Sequence, residues 1–157
     1  MSTKAATKPR LTTAEQEKIL AEAEGLIKEP ANWTTGKWKC PVYKTDEKNR
    51  IIRGEDGMPI PEYDLFNRPL AQYCIEGAVN QAAVNVLGES RAERFGVSAE
   101  SPEMTDMLGL NEIARTLYEE SHGVETAMEY NDDVGDHEGV MNILRTRLAE
   151  VRKKIRR

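Results

Sequence analysis

The sequence predicts a mainly α protein: a compact bundle of about four helices with a small β-hairpin as its minor β component. Three observations carry that expectation. Four stretches repeat apolar residues at helical spacing, and each has a capping residue, a proline or a glycine at its ends. The stretch that breaks this pattern, residues 31–68, holds both tryptophans and three of the seven prolines. The chain has 157 residues, 39% of them hydrophobic, which suffices for one core without disulfides or metal.

The elements follow in order. Residues 1–10, MSTKAATKPR, are small, polar and basic and read as a flexible arm ahead of a single domain over 11–157. The first helix is expected from about Thr13 to Lys28. Thr12 with Glu15, or Thr13 with Gln16, fits a capping box, and Pro30 stops the helix. Ile19, Leu20, Ala23, Leu26 and Ile27 form its apolar stripe. In the irregular segment, Trp38–Tyr43 and Arg50–Arg53 suit a two-stranded hairpin with Thr45–Asn49 as its loop. Pro41 makes the first strand an edge. Glu55-Asp56-Gly57 reads as a turn, and Pro59 and Pro61 keep the chain extended. Such a hairpin needs support from the helices, for which Trp33, Trp38, Tyr43 and Phe66 are suited.

A second helix is expected from Arg68-Pro69 to Leu87, closed by Gly88. It is apolar almost all round, so it belongs at the centre, and Gly77 and Ala78 allow a neighbour to approach closely. Residues 89–100 read as a polar connector with one helical turn. A third helix runs from Ser101-Pro102-Glu103 to Gly123, with Met107, Leu110, Ala114, Leu117 and Tyr118 on one face. Val124–Val134 is expected as a loop. Asp136 caps a last helix striped by Val140, Met141, Leu144, Leu148, Val151 and Ile155. No internal repeat is visible.

Composition excludes several classes. No run approaches the ~20 apolar residues of a membrane span, and Met1–Arg10 lacks the apolar core of a signal peptide. Two cysteines are no disulfide framework. The expected compartment is the cytoplasm, and no membrane partner is expected. Charge is segregated within the net −5. Residues 89–138 hold 14 acidic and three basic residues, and residues 139–157 hold seven basic and one acidic. That pattern fits two faces of opposite sign, or simply basic residues suited to a helix C-terminus.

The order of short motifs resembles a family of small uncharacterised proteins from actinobacteria and their phages. The motifs are Asn32-Trp33-Thr34-Thr35-Gly36, then Cys74-x-x-Gly77-Ala78 at a central helix, then Tyr130-Asn131-Asp132 before the last helix. The resemblance covers roughly residues 11–150. This chain departs from the family pattern in its longer basic C-terminal end and in Asp136-His137-Glu138. The family has no established activity, so the resemblance implies a fold and a host range.

The sharpest catalytic combination is Cys74 with His137, oriented by Asn131, Asp132 or Asp136. A thiol near a helix start and an imidazole can form a nucleophile. Against it, cysteine packs well as a small buried hydrophobe. Cys40, Cys74, His122 and His137 lack the spacing of zinc modules. Asp132, Asp133, Asp136 and Glu138 lack that of a calcium loop, so no metal is assigned. No glycine-rich phosphate loop occurs, and no cofactor is expected. The basic end, including Arg152, Lys153 and Lys154, suits nucleic acid only weakly. It is not confined to one stripe, and the pI is about 5.2. Trp33, Trp38 and Tyr43 crowd a loop-rich segment, where they either close the core or anchor a partner.

The function expected is therefore a non-enzymatic accessory protein of phage or actinobacterial origin that binds another protein, a host factor or an assembly partner. The alternatives are a cysteine-dependent hydrolase or transferase using Cys74 and His137, and a nucleic-acid accessory protein using the basic end. Homo-oligomerisation is compatible with any of these.

Overall fold

In a computed structural model of the chain, residues 10–36, 39–63, 70–97 and 101–156 are described. The N-terminal arm up to Pro9, Trp38, Phe66 and the Arg68-Pro69 helix start lie outside these residues.

The protein is mainly α with a small antiparallel sheet. Helix α1 covers Thr13–Ile27 and uses the Thr12–Glu15 capping box: each side-chain oxygen accepts the other residue's backbone N–H at 3.0 Å. It buries Ile19, Leu20, Ala23 and Ile27 and packs on both α2 (Ile75–Leu87) and α7 (His137–Ile155). Helix α2 buries residues over most of its surface, including Ile75, Ala78, Val79, Ala82 and Ala83, and is the central helix of the core.

Helix α2 begins later than the sequence suggests. Ala71–Tyr73 form strand β2, paired antiparallel with β1, Lys39–Pro41, with Lys39 opposite Tyr73. The mostly apolar stretch from Leu70 to Ile75, broken only by Gln72, satisfies strand and helix alike, and the pairing decides for strand. Cys74 then turns the chain into the helix as its N-cap, with Sγ accepting from Gly77 N at 3.3 Å. The strand partner also differs from the expected hairpin: β1 pairs with residues about thirty positions downstream, not with Arg50–Arg53.

Residues 39–63 instead build a finger in which no side chain is fully buried. Its backbone closes two rings of three hydrogen bonds. In one ring Val42 N donates to Leu70 O, Leu70 N to Glu62 O, and Glu62 N to Val42 O, at 2.8–3.1 Å. In the other Lys44 N donates to Ile60 O, Ile60 N to Ile52 O, and Ile52 N to Lys44 O, at 2.8–3.0 Å. Two turns follow one design eight residues apart. Asp46 N donates to Arg50 O and Gly54 N to Met58 O. Asn49 N donates to Asp46 O and Gly57 N to Gly54 O. Asn49 and Gly57 are both left-handed, at φ 62° and 78°. The repeat escapes sequence inspection because backbone positions carry it and few residues are identical.

The expected third helix is two. Helices α4, Glu103–Met107, and α5, Leu110–His122, are separated at Gly109, whose φ of 78° breaks the helical path. Arg147 of α7 fills the kink, Nε donating to Leu108 O at 2.7 Å. Ser101 is not the N-cap: it is buried, and its carbonyl accepts from Asn80 Nδ2 of α2. The polar connector contains α3, Glu89–Arg94. The expected loop 124–134 contains a short helix α6, Ala127–Glu129, and a π-helical turn, Tyr130–Val134. Asp136 caps α7, Oδ1 accepting from Glu138 N at 3.0 Å. Among the described residues no helix is long and apolar enough to cross a membrane.

Candidate functional site

The three short motifs meet at Asn131, a fully buried side chain in the π-helical turn. Its Oδ1 accepts from Trp33 Nε1 at 2.8 Å and from Ile75 N at 3.0 Å. Its Nδ2 donates to Thr34 O at 3.2 Å and to Asp132 Oδ1 at 3.1 Å. Both donors and both acceptor sites of the amide are used, the condition under which a buried amide stabilises a fold. Asp132 Oδ1 also accepts from Gly36 N at 2.9 Å. The tryptophan turn, the first residue of α2 and the Asn-Asp turn are thereby tied together, although the chain separates Trp33 and Asn131 by 98 positions.

Cys74 and His137 flank this junction, each held by something else. Cys74 is fully buried, and burial pushes its thiol up to about 11; the hydrogen bond from Gly77 N opposes that only in part. Glu76 and Asp132 add negative potential. At neutral pH the sulfur is a protonated thiol, the opposite of an activated nucleophile. His137 Nε2 donates to Ile27 O at 2.7 Å, so that nitrogen carries a proton. Its ring lies against Trp33, with centroids 5.5 Å apart and a tilt of 57°. Among the described residues no hydrogen bond joins the two side chains. Asn131 orients Trp33 and α2, not His137.

The other sequence-derived residues are dispersed. Trp33 packs against the core. Tyr43 is half-buried on the finger, in a bridge with Pro61. Trp38 lies outside the described residues. On the basic end, Arg152, Lys153 and Lys154 are exposed, but Arg152 Nε is 3.5 Å from Glu17 of α1 and Arg145 Nε is 3.3 Å from Glu24. The positive potential of α7 is thus partly spent within the bundle. Asp132, Asp133, Asp136 and Glu138 do not converge as metal ligands, and no such group occurs among the described residues.

The sequence reading missed the exposed apolar side chains of the finger: Ile51, Ile52, Met58 and Tyr63, with Met58 at 63% exposure. A usable signal was present. Asp46 and Gly57 mark tight turns, so the residues beside them cannot turn inward together. It also missed the aromatic stack of Tyr118 on Tyr130, the first residue of the Asn131 turn, with centroids 4.2 Å apart. Compared with family models, curated proteins and solved structures, the chain matches none.

Proposed function

We propose that the protein is a non-enzymatic accessory factor, of phage or actinobacterial origin, that binds another protein through the finger at residues 39–63. One observation carries this reading: the finger spends two hydrogen-bonded rings and two matched turns on holding apolar side chains out in water. Exposed single hydrophobics are ordinary, but four on one short projection with no buried residue have no role in the core. Polar charge around them is balanced, with Lys44, Lys48, Arg50 and Arg53 set against Asp46, Glu47, Glu55 and Asp56. That composition suits an apolar contact with a polar rim. Tyr43, one of the sequence-derived anchors, is half-buried on the finger in its bridge with Pro61. The protonated, buried thiol of Cys74 speaks against the hydrolase alternative.

The test is a double substitution, Ile51→Asp with Met58→Asp. Both side chains are exposed, so the melting temperature should stay within about 2 °C of the parent. Proteins from an actinobacterial host that cross-link to the parent chain should be lost with the variant. Capture of the same proteins at the same yield by a variant of unchanged stability overturns the reading.

A further inference from the structure

A candidate binding feature lies where α5, the Asn131 turn and the start of α7 meet. It is a cavity of about 420 Å³ whose walls are aromatic rings and carboxylates. Tyr118 stacks on Tyr130 at 29° between ring planes. His122 stands edge-on to both, with centroids 5.8 and 5.9 Å away. Asp136 and Glu138 line the same cavity. Tyr130 is 2% exposed, and its ring occupies the space a side chain at Gly139 would need, so this wall is fixed.

We propose that this cavity binds a small organic cation, a guanidinium or alkylammonium group, between the Tyr118 ring, backed by Tyr130, and Glu138. The electron-rich outer face of the Tyr118 phenol attracts such a cation, and a carboxylate at the rim gives it a charged acceptor. The rival reading, an anion at the N-terminus of α7, meets an occupied site. The Asp136 carboxylate already takes Glu138 N at 3.0 Å and Gly139 N at 3.5 Å. The cavity therefore meets a ligand with negative charge, not with bare amides. Segment 89–138, which supplies every one of the rings and both carboxylates, holds 14 acidic against three basic residues. Tyr130 stays a neutral phenol at any physiological pH, because burial, Tyr118 and Asp136 push its pKa up to about 12. Asn142 Nδ2 donates to Tyr118 Oη at 3.1 Å and fixes the outer ring. Among the described residues lining the cavity the one Lys or Arg is Arg145, drawn toward α1 by Glu24 at 3.3 Å. The cation could be a free amine or the side chain of an arginine on another protein. The site stands independently of the finger, so failure of either leaves the other in place.

Nuclear magnetic resonance of the full chain, titrated with agmatine, tests the assignment. The ring resonances of Tyr118 and His122 should move saturably, and added salt should weaken the effect. Glu138→Gln removes an exposed carboxylate and should weaken binding about fivefold. Arg145→Gln should tighten it, because a like charge is removed. Tyr118→Leu removes the outer ring and should lose about three- to fivefold. A blocked Gly-Arg-Gly peptide distinguishes the sources: tighter binding than agmatine marks a protein-borne arginine, and weaker binding marks a free amine. The proposal is overturned if agmatine causes no saturable shift, if Glu138→Gln binds equally well, or if Arg145→Gln weakens binding.

Discussion

Two glycines in helices face opposite surroundings, and one methyl group separates them. At Gly139 in α7 a side chain would overlap the phenol oxygen and Cζ of Tyr130. That ring is almost fully buried and stacked on Tyr118, so it has nowhere to retreat. Gly139→Ala should cost about 1–3 kcal/mol despite alanine's better helix propensity. Gly25 in α1 has open space where a side chain would go. There alanine should add about 0.5–1 kcal/mol of stability. Thermal or denaturant unfolding of both variants checks the pair, and equal effects would show that Tyr130 does not pin α7. The same residue-level view explains what the sequence concealed at the junction. Asn131 was legible as a polar residue beside a turn, but not as a hub, because its partners come from positions 33, 34 and 75. Local pattern carries no record of contacts across such separations. Cys74 was legible as buried but not as a helix cap, since cysteine is not a residue type that signals one.

At the level of elements, periodicity revealed what repeats locally. The long helices α1, α2, α5 and α7 lie where their apolar stripes place them. Their ends were read well where a side chain makes the cap, as at Thr12 and Asp136. They were read poorly where backbone pairing overrules propensity, as at residues 71–73, or where a left-handed glycine splits one stripe, as at Gly109. The turn at Thr45–Asn49 was legible from its polar residues, and Thr45 does bridge Ile51. The finger's closed rings were not, because they join three segments through backbone groups alone. That construction makes the finger separable. Tyr43 and Pro61 face each other in a bridge, so residues 44–60 can be replaced by an Asn-Gly turn between them. No residue removed belongs to the core. The shortened chain should keep its helical circular dichroism and melt within about 3 °C of the parent. Loss of cooperative unfolding would show that the finger supports the bundle. Persistence of the bundle together with loss of cross-linked partners would match the role proposed for it.

Across the whole molecule, carboxylates pull stability in opposite directions as pH changes. Glu76, in the first turn of α2, has its pKa raised by burial and then by Asp132 and Glu103. The native state therefore binds this proton more tightly than the unfolded chain does, and stability falls as pH rises through the interval above 4.5. The self-repulsion of segment 89–138 acts with the same sign, since protonation relieves it. Glu15 behaves in reverse. Its hydrogen bond from Arg91, and then that from Thr12 N, hold its carboxyl below the ordinary value of 4.5. Asp46 is lowered from 3.8 by hydrogen bonds, the largest from Arg50 N. For these two the unfolded chain is the tighter proton acceptor, so their contribution is present above the unfolded value and disappears as pH drops below it. The two sets titrate on opposite sides of about pH 4.5. Stability should thus rise modestly as pH falls toward about 4.5 from above, then decline as pH drops below the ordinary carboxylate values of 4.5 and 3.8. Glu76→Gln should flatten the upper limb, because glutamine cannot ionise, while leaving the acid limb in place. Glu15→Gln should do the opposite and weaken the parent at pH 7, since it removes the charge that pairs with Arg91 at 2.9 Å, while the glutamine oxygen can still complete the α1 capping box. Melting temperatures measured from pH 3 to 8 for the three chains decide the matter. An upper limb that Glu76→Gln leaves unchanged would place the pH response in the acidic surface as a whole and not at the start of the central helix.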